Sequence, residues 1–361
     1  MNLSLIFDLL ELGEKVLFFC YNRLLCDHLN EAHKNNPIKS RRAEYKNVDF
    51  KTISQLTQDV TGNYKDFDGL INWLIDCVGD PEKFGYKHVI VDEGQDFGLI
   101  DKSYCISQED AERNCSIIDT IQEVVLSVGG TFYLFYDKYQ MIQGSSDVEY
   151  KLPDCISNSD CRLSLKKNCR NTKEIARTSV TPLRDYKNKA IKPTVACCWF
   201  EPIKPVMHIA NNDSSAISAV NKILDKYIEN KVEDIIILTP GKIDFCCLAD
   251  QLSEGKGEFA GYHVYQYSGK SYKVSTCRKF KGLEADAIVM LDLKKDSFVG
   301  KKGLEFYVGT SRAKQRLDLV CNLSEDDYAE IISILDPNAP IKGNAEKMKK
   351  TLSNVFAADM E

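Results

Sequence analysis

Across its 361 residues the sequence has no Cys-x-x-Cys pair, no long uninterrupted apolar run, no basic leader, no low-complexity tract and no repeat of solenoid period. Each absence removes a class of protein. Zinc sites want Cys and His in paired short spacings, and secreted disulfide scaffolds are usually far shorter chains. The 14 cysteines are scattered, with two adjacent pairs, Cys197-Cys198 and Cys246-Cys247. They read as reduced, mostly buried thiols of a cytosolic protein, so a cytoplasmic location is expected. Cys26, His28 and His33 are the one loose metal-like cluster; they fall on an expected helix and are assigned no metal. A membrane span needs about 20 apolar residues in a row, and no stretch approaches that, so no membrane partner is expected. The opening MNLSLIFDLLELGEK is apolar but carries Asp8 and Glu11, unlike a signal peptide. Its Leu5, Ile6, Leu9, Leu10 and Leu12 fit one helical face, with Gly13 as a natural stop. The net charge of -6 argues against a protein that coats nucleic acid or anionic lipid everywhere, and leaves room for a local basic groove.

What is present is an ordinary globular composition, 43% hydrophobic and 28% charged, long enough for two domains. KVLFFC (15–20), HVIVDE (88–93) and TFYLFYD (131–137) are near-continuous apolar runs ending in polar residues, the pattern of parallel strands covered on both faces. Helix-like stretches at 22–33 and 109–127 lie between them. A second set follows the turn-rich segment 144–154: VEDIIILTP (232–240), HVYQYSG (263–269), EADAIVMLDL (284–293) and RLDLVCN (316–322), with helix-like stretches near 214–230 and 304–315. The fold expected is α/β, with parallel sheets in two domains, 1–160 and 161–335, and a peripheral helix or tail over 336–361.

HVIVDEGQDF (88–97) stops an apolar strand on two adjacent carboxylates. In open α/β sheets the ligand sits beyond the carboxyl ends of the strands, where Asp92 and Glu93 fall. One carboxylate there can hold Mg²⁺ while its neighbour orients or deprotonates an attacking water, the division of labour in phosphate hydrolysis.

DEGQD resembles the second motif of the UvrD/Rep-type superfamily 1 DNA helicases, and the other motifs of that family follow in order. CYNRLL (20–25) is similar to the motif that contacts single-stranded DNA, LFYDKYQ (134–140) to the third, and LKKNCRNTKEI (165–175) to the fourth. VSTCRKFKGLEADAIV (274–289) resembles the fifth and YVGTSRAK (307–314) the sixth. The resemblance implies two RecA-like domains of the P-loop NTPase type and an ATP-dependent DNA helicase or translocase moving 3' to 5'. It implies ATP and Mg²⁺ as cofactors and single-stranded or duplex DNA as partner. By residue, it implies Asp92 as the Mg²⁺ ligand, Glu93 as the base, Gln140 as a phosphate sensor, and Arg170 and Arg312 as donors to the γ-phosphate. Glu284, with Gly282 in its loop, would contact the nucleotide ribose. Asn22, Arg23, Thr276 and Arg278 would lie on DNA.

The departures are as informative. The fifth motif usually carries His where this chain has Arg278, and the third usually ends in an aromatic and a basic residue where this chain has Gln143 and Gly144, so base stacking there is not expected. The interval Gln251 to Val274 is too short for the large second-domain insertion of bigger family members, so a compact two-domain core is expected. No GxxxxGK[ST] phosphate cradle is found: the single GK[ST], Gly269-Lys270-Ser271, has Val264 at the first glycine position and lies in the second domain. The helix at 1–12 stands where the family places the helix after the P-loop, so the first domain is expected to be incomplete. Three readings stay open: a helicase fragment, one half of a split helicase whose P-loop another polypeptide supplies, or a nucleic-acid-binding or assembly module without hydrolysis.

Overall fold

The computed structural model describes residues 13–34, 45–98, 107–137, 139, 152–165, 167–184, 189–193, 195–196, 203–341 and 343–361. The expected helix at 1–12, Gln140, Gln143 and Gly144 lie outside the described residues. The chain divides into two compact units, Met1–Leu163 and Ser164–Glu361.

The first unit is built on a parallel sheet of four strands in the order β2-β1-β3-β4, with β1 Val16–Cys20, β2 Val48–Thr52, β3 His88–Asp92 and β4 Thr131–Leu134. Every residue of β1 is fully buried, which is why its sequence is apolar at consecutive positions rather than at alternate ones. Helices Ile53–Thr61, Phe67–Gly79 and Gln108–Ser127 contribute to one core with the strands, around Leu17, Phe19, Val89, Val91, Leu70, Leu74 and Ile121. The first and last of these helices begin with capping boxes, Thr52 with Gln55 and Ser107 with Asp110. β4 is different: its residues are only partly buried, and its outer edge pairs with no strand among the described residues.

The second unit carries an eight-stranded sheet in the order β14-β7-β13-β12-β8-β11-β10-β9. Here β7 is Val206–Ala210, β8 Ile235–Thr239, β9 Leu252–Glu254, β10 His263–Tyr267, β11 Lys270–Thr276, β12 Ala285–Leu293, β13 Ala313–Asn322 and β14 Asp359–Met360; β5 Lys167–Asn168 and β6 Val195–Ala196 form a separate parallel pair. The strands from β14 to β11 run parallel, and β10 and β9 are antiparallel additions at the edge. Both units are thus α/β with parallel strands at their centres.

Gly269-Lys270-Ser271 lies at the hairpin between β10 and β11, where Ser268 and Gly269 both have positive φ (51° and 75°). That is the two-residue turn of an antiparallel hairpin and no phosphate cradle. The closing stretch, expected to be peripheral, is instead packed into the second unit. Its helix Ala345–Phe356 buries Leu352 and Phe356, Phe356 meets Phe298 and Phe306 at ring-centroid distances of 5.0 and 6.0 Å, and β14 extends the sheet. Three aromatic rings at that spacing hold the segment down.

Candidate functional site

In the first unit the chemistry collects at the carboxyl ends of β1 and β3. Cys20 and Asp92, the last residues of the two strands, are register partners, so Asn22 and Glu93 begin at the same end of the sheet. The Cys20 thiol lies 3.2 Å from that of Cys26. That contact, burial and the charge of Asp92 push it well above its usual range.

Glu93 leaves the strand in the left-handed region, φ 54° and ψ 43°. A non-glycine residue there costs about 1 to 3 kcal/mol and persists only where its surroundings fix it. They do so here. The carboxamide of Gln95, fully buried, donates to Glu93 Oε2 at 2.6 Å and accepts from the backbone N–H of Asp137 at 3.1 Å. The N–H of Gly94 donates to Phe135 O at 2.8 Å, and that of Phe135 to Val91 O at 2.9 Å. A side chain at Gly94 would put its Cβ 2.4 Å from Leu134 Cδ2. The turn after β3 and the exit of β4 are therefore one interlocked piece, with Glu93 buried to 9% exposure inside it and Asp92 more open.

Asp92 Oδ1 accepts from the N–H of Glu93 at 3.1 Å. Among the described residues no group of three or more His, Cys, Asp or Glu side chains is placed to cage a metal ion. Mg²⁺ does not require one: it keeps several waters and is usually held by one or two carboxylates plus substrate phosphate, and Asp92 with Glu93 fits that donor set.

Asn22 caps the helix Arg23–Lys34, its Oδ1 accepting from the N–H of Leu24 at 2.9 Å and of Leu25 at 3.4 Å. Arg23 is exposed, 3.6 Å from Asp27.

In the second unit Arg170 and Glu284, 114 positions apart in sequence, meet: Arg170 Nε donates to Glu284 Oε2 at 2.7 Å. Burial works to raise the Glu284 carboxyl, but the hydrogen bond and charge of Arg170 with the charge of Lys314 outweigh it, so the group sits below the usual carboxylate range. Gly282, at φ 88°, turns the chain just before Leu283, which is buried, and Glu284, and Ala285 then enters β12.

The loop of Arg170 is built from two asparagines. Asn168 Oδ1 accepts from the N–H groups of Arg170 and Asn171, both at 3.0 Å. Asn171, 3% exposed, donates through Nδ2 to the carbonyls of Ser311 at 2.9 Å and Ala313 at 2.5 Å, on either side of Arg312. Arg312 itself is 2% exposed, with Nε donating to Val308 O at 3.2 Å, and its carbonyl accepts from the N–H of Ala285.

The nucleic-acid candidates lie at the other end of the strands. Thr276 ends β11 in register with Thr239 at the end of β8, and its Oγ1 accepts from the N–H of Lys279 at 3.2 Å. Arg278 donates to the buried carboxylate of Glu305, at 3.2 Å from Nε and 2.9 Å from Nη2. Three residues in these constellations, Gln95, Asn171 and Glu305, carry no role in the sequence reading. Gln95 and Asn171 stand inside DEGQD and NCRNT, but their partners are 42 and 140 positions away, which no motif spacing reveals.

No known family profile matches the sequence. No curated protein matches it either. Among solved structures, the C-terminal domain of a possible DNA helicase from Lactobacillus plantarum WCFS1 superposes at a TM-score of 0.30 with 15% identity, over 42% of this chain and 86% of that one. The PRRSV helicase gives a TM-score of 0.39 at 10% identity, over 86% of this chain and 47% of the other. The DEAD-box helicase Mss116, bound to ssRNA and UDP-BeF, gives 0.38 at 11% identity, over 95% and 67%. Likeness at these levels carries no argument about chemistry, which rests on this chain's own geometry.

Proposed function

We propose that this chain carries the hydrolytic carboxylates and the phosphate-binding arginine of an ATP-dependent DNA helicase or translocase related to the UvrD/Rep type. The observation that carries the reading is Glu93, set in a strained turn at the end of a buried parallel strand and hydrogen-bonded by a buried Gln95 that also holds Asp137. A carboxylate so fixed is suited to taking a proton from water. Asp92 beside it would hold Mg²⁺, which when bound offsets phosphate charge, and Arg170 supplies an always-charged donor. Thr276 and Asn22 would touch the DNA backbone. Because these 361 residues contain no P-loop pattern, the chain alone should bind Mg-ATP no more tightly than the millimolar range. Calorimetry tests this, and micromolar affinity would contradict it.

A second reading, a nucleic-acid-binding or assembly module without hydrolysis, is favoured by Arg312 being 2% exposed, with its Nε on Val308 O. Salt dependence of single-stranded DNA binding bears on both readings. Removing one side chain that pairs with a DNA phosphate should flatten the slope of log affinity against log salt by about 1. Arg278→Ala should do so if Arg278 reaches DNA, and an unchanged slope removes it from that surface.

A further inference from the structure

We infer that Glu284 is a positioning residue for an anion subsite on Arg170: it fixes the guanidinium through Nε and leaves the two terminal nitrogens to receive a phosphoryl group. The inference rests on the reading of Arg170 as a phosphate donor and assigns Glu284 a task that needs no ribose.

Arg170 makes one side-chain hydrogen bond among the described residues, from Nε to Glu284 Oε2, and its side chain is 27% exposed. A guanidinium offers five donors in a planar fork, so the edge formed by Nη1 and Nη2 is unspent and geometrically matched to two phosphate oxygens. The backbone that carries its partner carboxylate is fixed. Glu284 follows the positive-φ turn at Gly282 and buried Leu283, and the next residue, Ala285, is fully buried and hydrogen-bonded through its N–H to Arg312 O. On the other side, the Asn168 and Asn171 bonds fix the backbone of Arg170. A flexible side chain is thus anchored at both its root and its Nε.

Two opposing effects decide the sign of a substitution. Glu284 is a like charge to any bound phosphate; at about 6 Å, in water and salt, its repulsion of a doubly charged phosphoryl group is worth roughly threefold in affinity. An arginine released from its anchor must be immobilised on binding, which costs about two- to tenfold. The two effects are comparable in size, but Glu284→Ala and Glu284→Gln remove the same charge, so the difference between them reports positioning alone. A purely electrostatic role predicts equal affinities for the two variants.

The test is titration of the full chain with inorganic triphosphate, followed by phosphorus NMR, for the parent, Glu284→Ala, Glu284→Gln and Arg170→Ala, with thermal unfolding confirming that each variant is folded. Triphosphate has no ribose, so a sugar contact by Glu284 contributes nothing. Glu284→Ala should bind about threefold more weakly than Glu284→Gln, whose side-chain oxygen still accepts from Nε. Arg170→Ala should bind more weakly than either. Binding by Glu284→Ala equal to or tighter than that of Glu284→Gln overturns the positioning role while leaving the anion site on Arg170 standing. Binding that is absent in the parent, or unaffected by Arg170→Ala, overturns both the inference and the phosphate role beneath it.

Discussion

In the first unit the Glu93 carboxylate stands on backbone. Glu93 sits in the left-handed region, a Cβ at Gly94 would press on the Leu134 side chain, and the turn is bonded to the exit of β4 through main-chain groups and one buried carboxamide. In the second unit Arg170 stands on side chains: Asn168 and Asn171 hold the loop, and Glu284, 45% exposed at its side chain, holds the guanidinium. The contrast has a physical consequence. A site made of packed backbone has few ways to relax, so a small change is costly. A site made of a half-exposed ion pair is screened by water, so the same change is mild and tunable.

The severest challenge to this contrast is to crowd the backbone of the first unit. A Cβ at Gly130, just before β4, would lie 1.8 Å from Lys87 O and 2.9 Å from Val125 O. Backbone oxygens cannot rotate aside, so Gly130→Ala should cost about 3 kcal/mol or more in urea unfolding. A cost under about 1 kcal/mol would show that the strand pair carrying Glu93 and Asp137 is more pliant than described.

Next come two buried carboxamides, Gln95 in the first unit and Asn171 in the second. Gln95→Leu removes a hydrogen bond to a charged group and one to the Asp137 backbone, and should cost about 2 to 3 kcal/mol in the same urea unfolding. Asn171→Leu removes donors from two carbonyls and should cost about 2 kcal/mol. If Asn171→Leu proved much the more damaging, the second unit would be the more rigid of the two.

The smallest effect is a pH dependence in the second unit. The Glu284 carboxyl lies below its usual value of 4.5 when folded, so above that value it contributes stability, and the contribution is lost as pH falls through the lower folded pKa. Glu284→Gln should therefore lower neutral and alkaline stability slightly and by a constant amount, leave stability below the folded pKa unchanged, and so flatten the acid limb of the unfolding curve. A loss confined to acid pH would contradict the sign.

Much of this was legible in the sequence, for reasons that also mark where legibility stops. VLFFC, HVIVD and IIILT announce themselves because strands buried on both faces must be apolar at every position. HVYQY looks the same in sequence, yet it is an antiparallel strand towards the sheet edge, because the deciding feature is the Ser268-Gly269 turn that follows it. VDFKT of β2 alternates apolar with polar residues and VMHIA of β7 is interrupted by His208, so neither stands out. The burial of Phe356 depends on Phe298 and Phe306, some fifty residues upstream. The site divides the same way. Asp92 and Glu93 could be read from their place at a strand end, whereas Gln95, Asn171 and Glu305 acquire meaning only from partners that folding brings near.

Whether Glu93 is the base of an ATP-hydrolysing site is decided by ATP turnover in a chimera with a UvrD/Rep-type P-loop segment joined ahead of Met1. Hydrolysis stimulated by single-stranded DNA is expected, and a Glu93→Gln chimera should still bind ATP but turn over at least about a hundredfold more slowly. A folded chimera that binds ATP and DNA without stimulated hydrolysis, or a Glu93→Gln form as fast as its parent, would contradict that role.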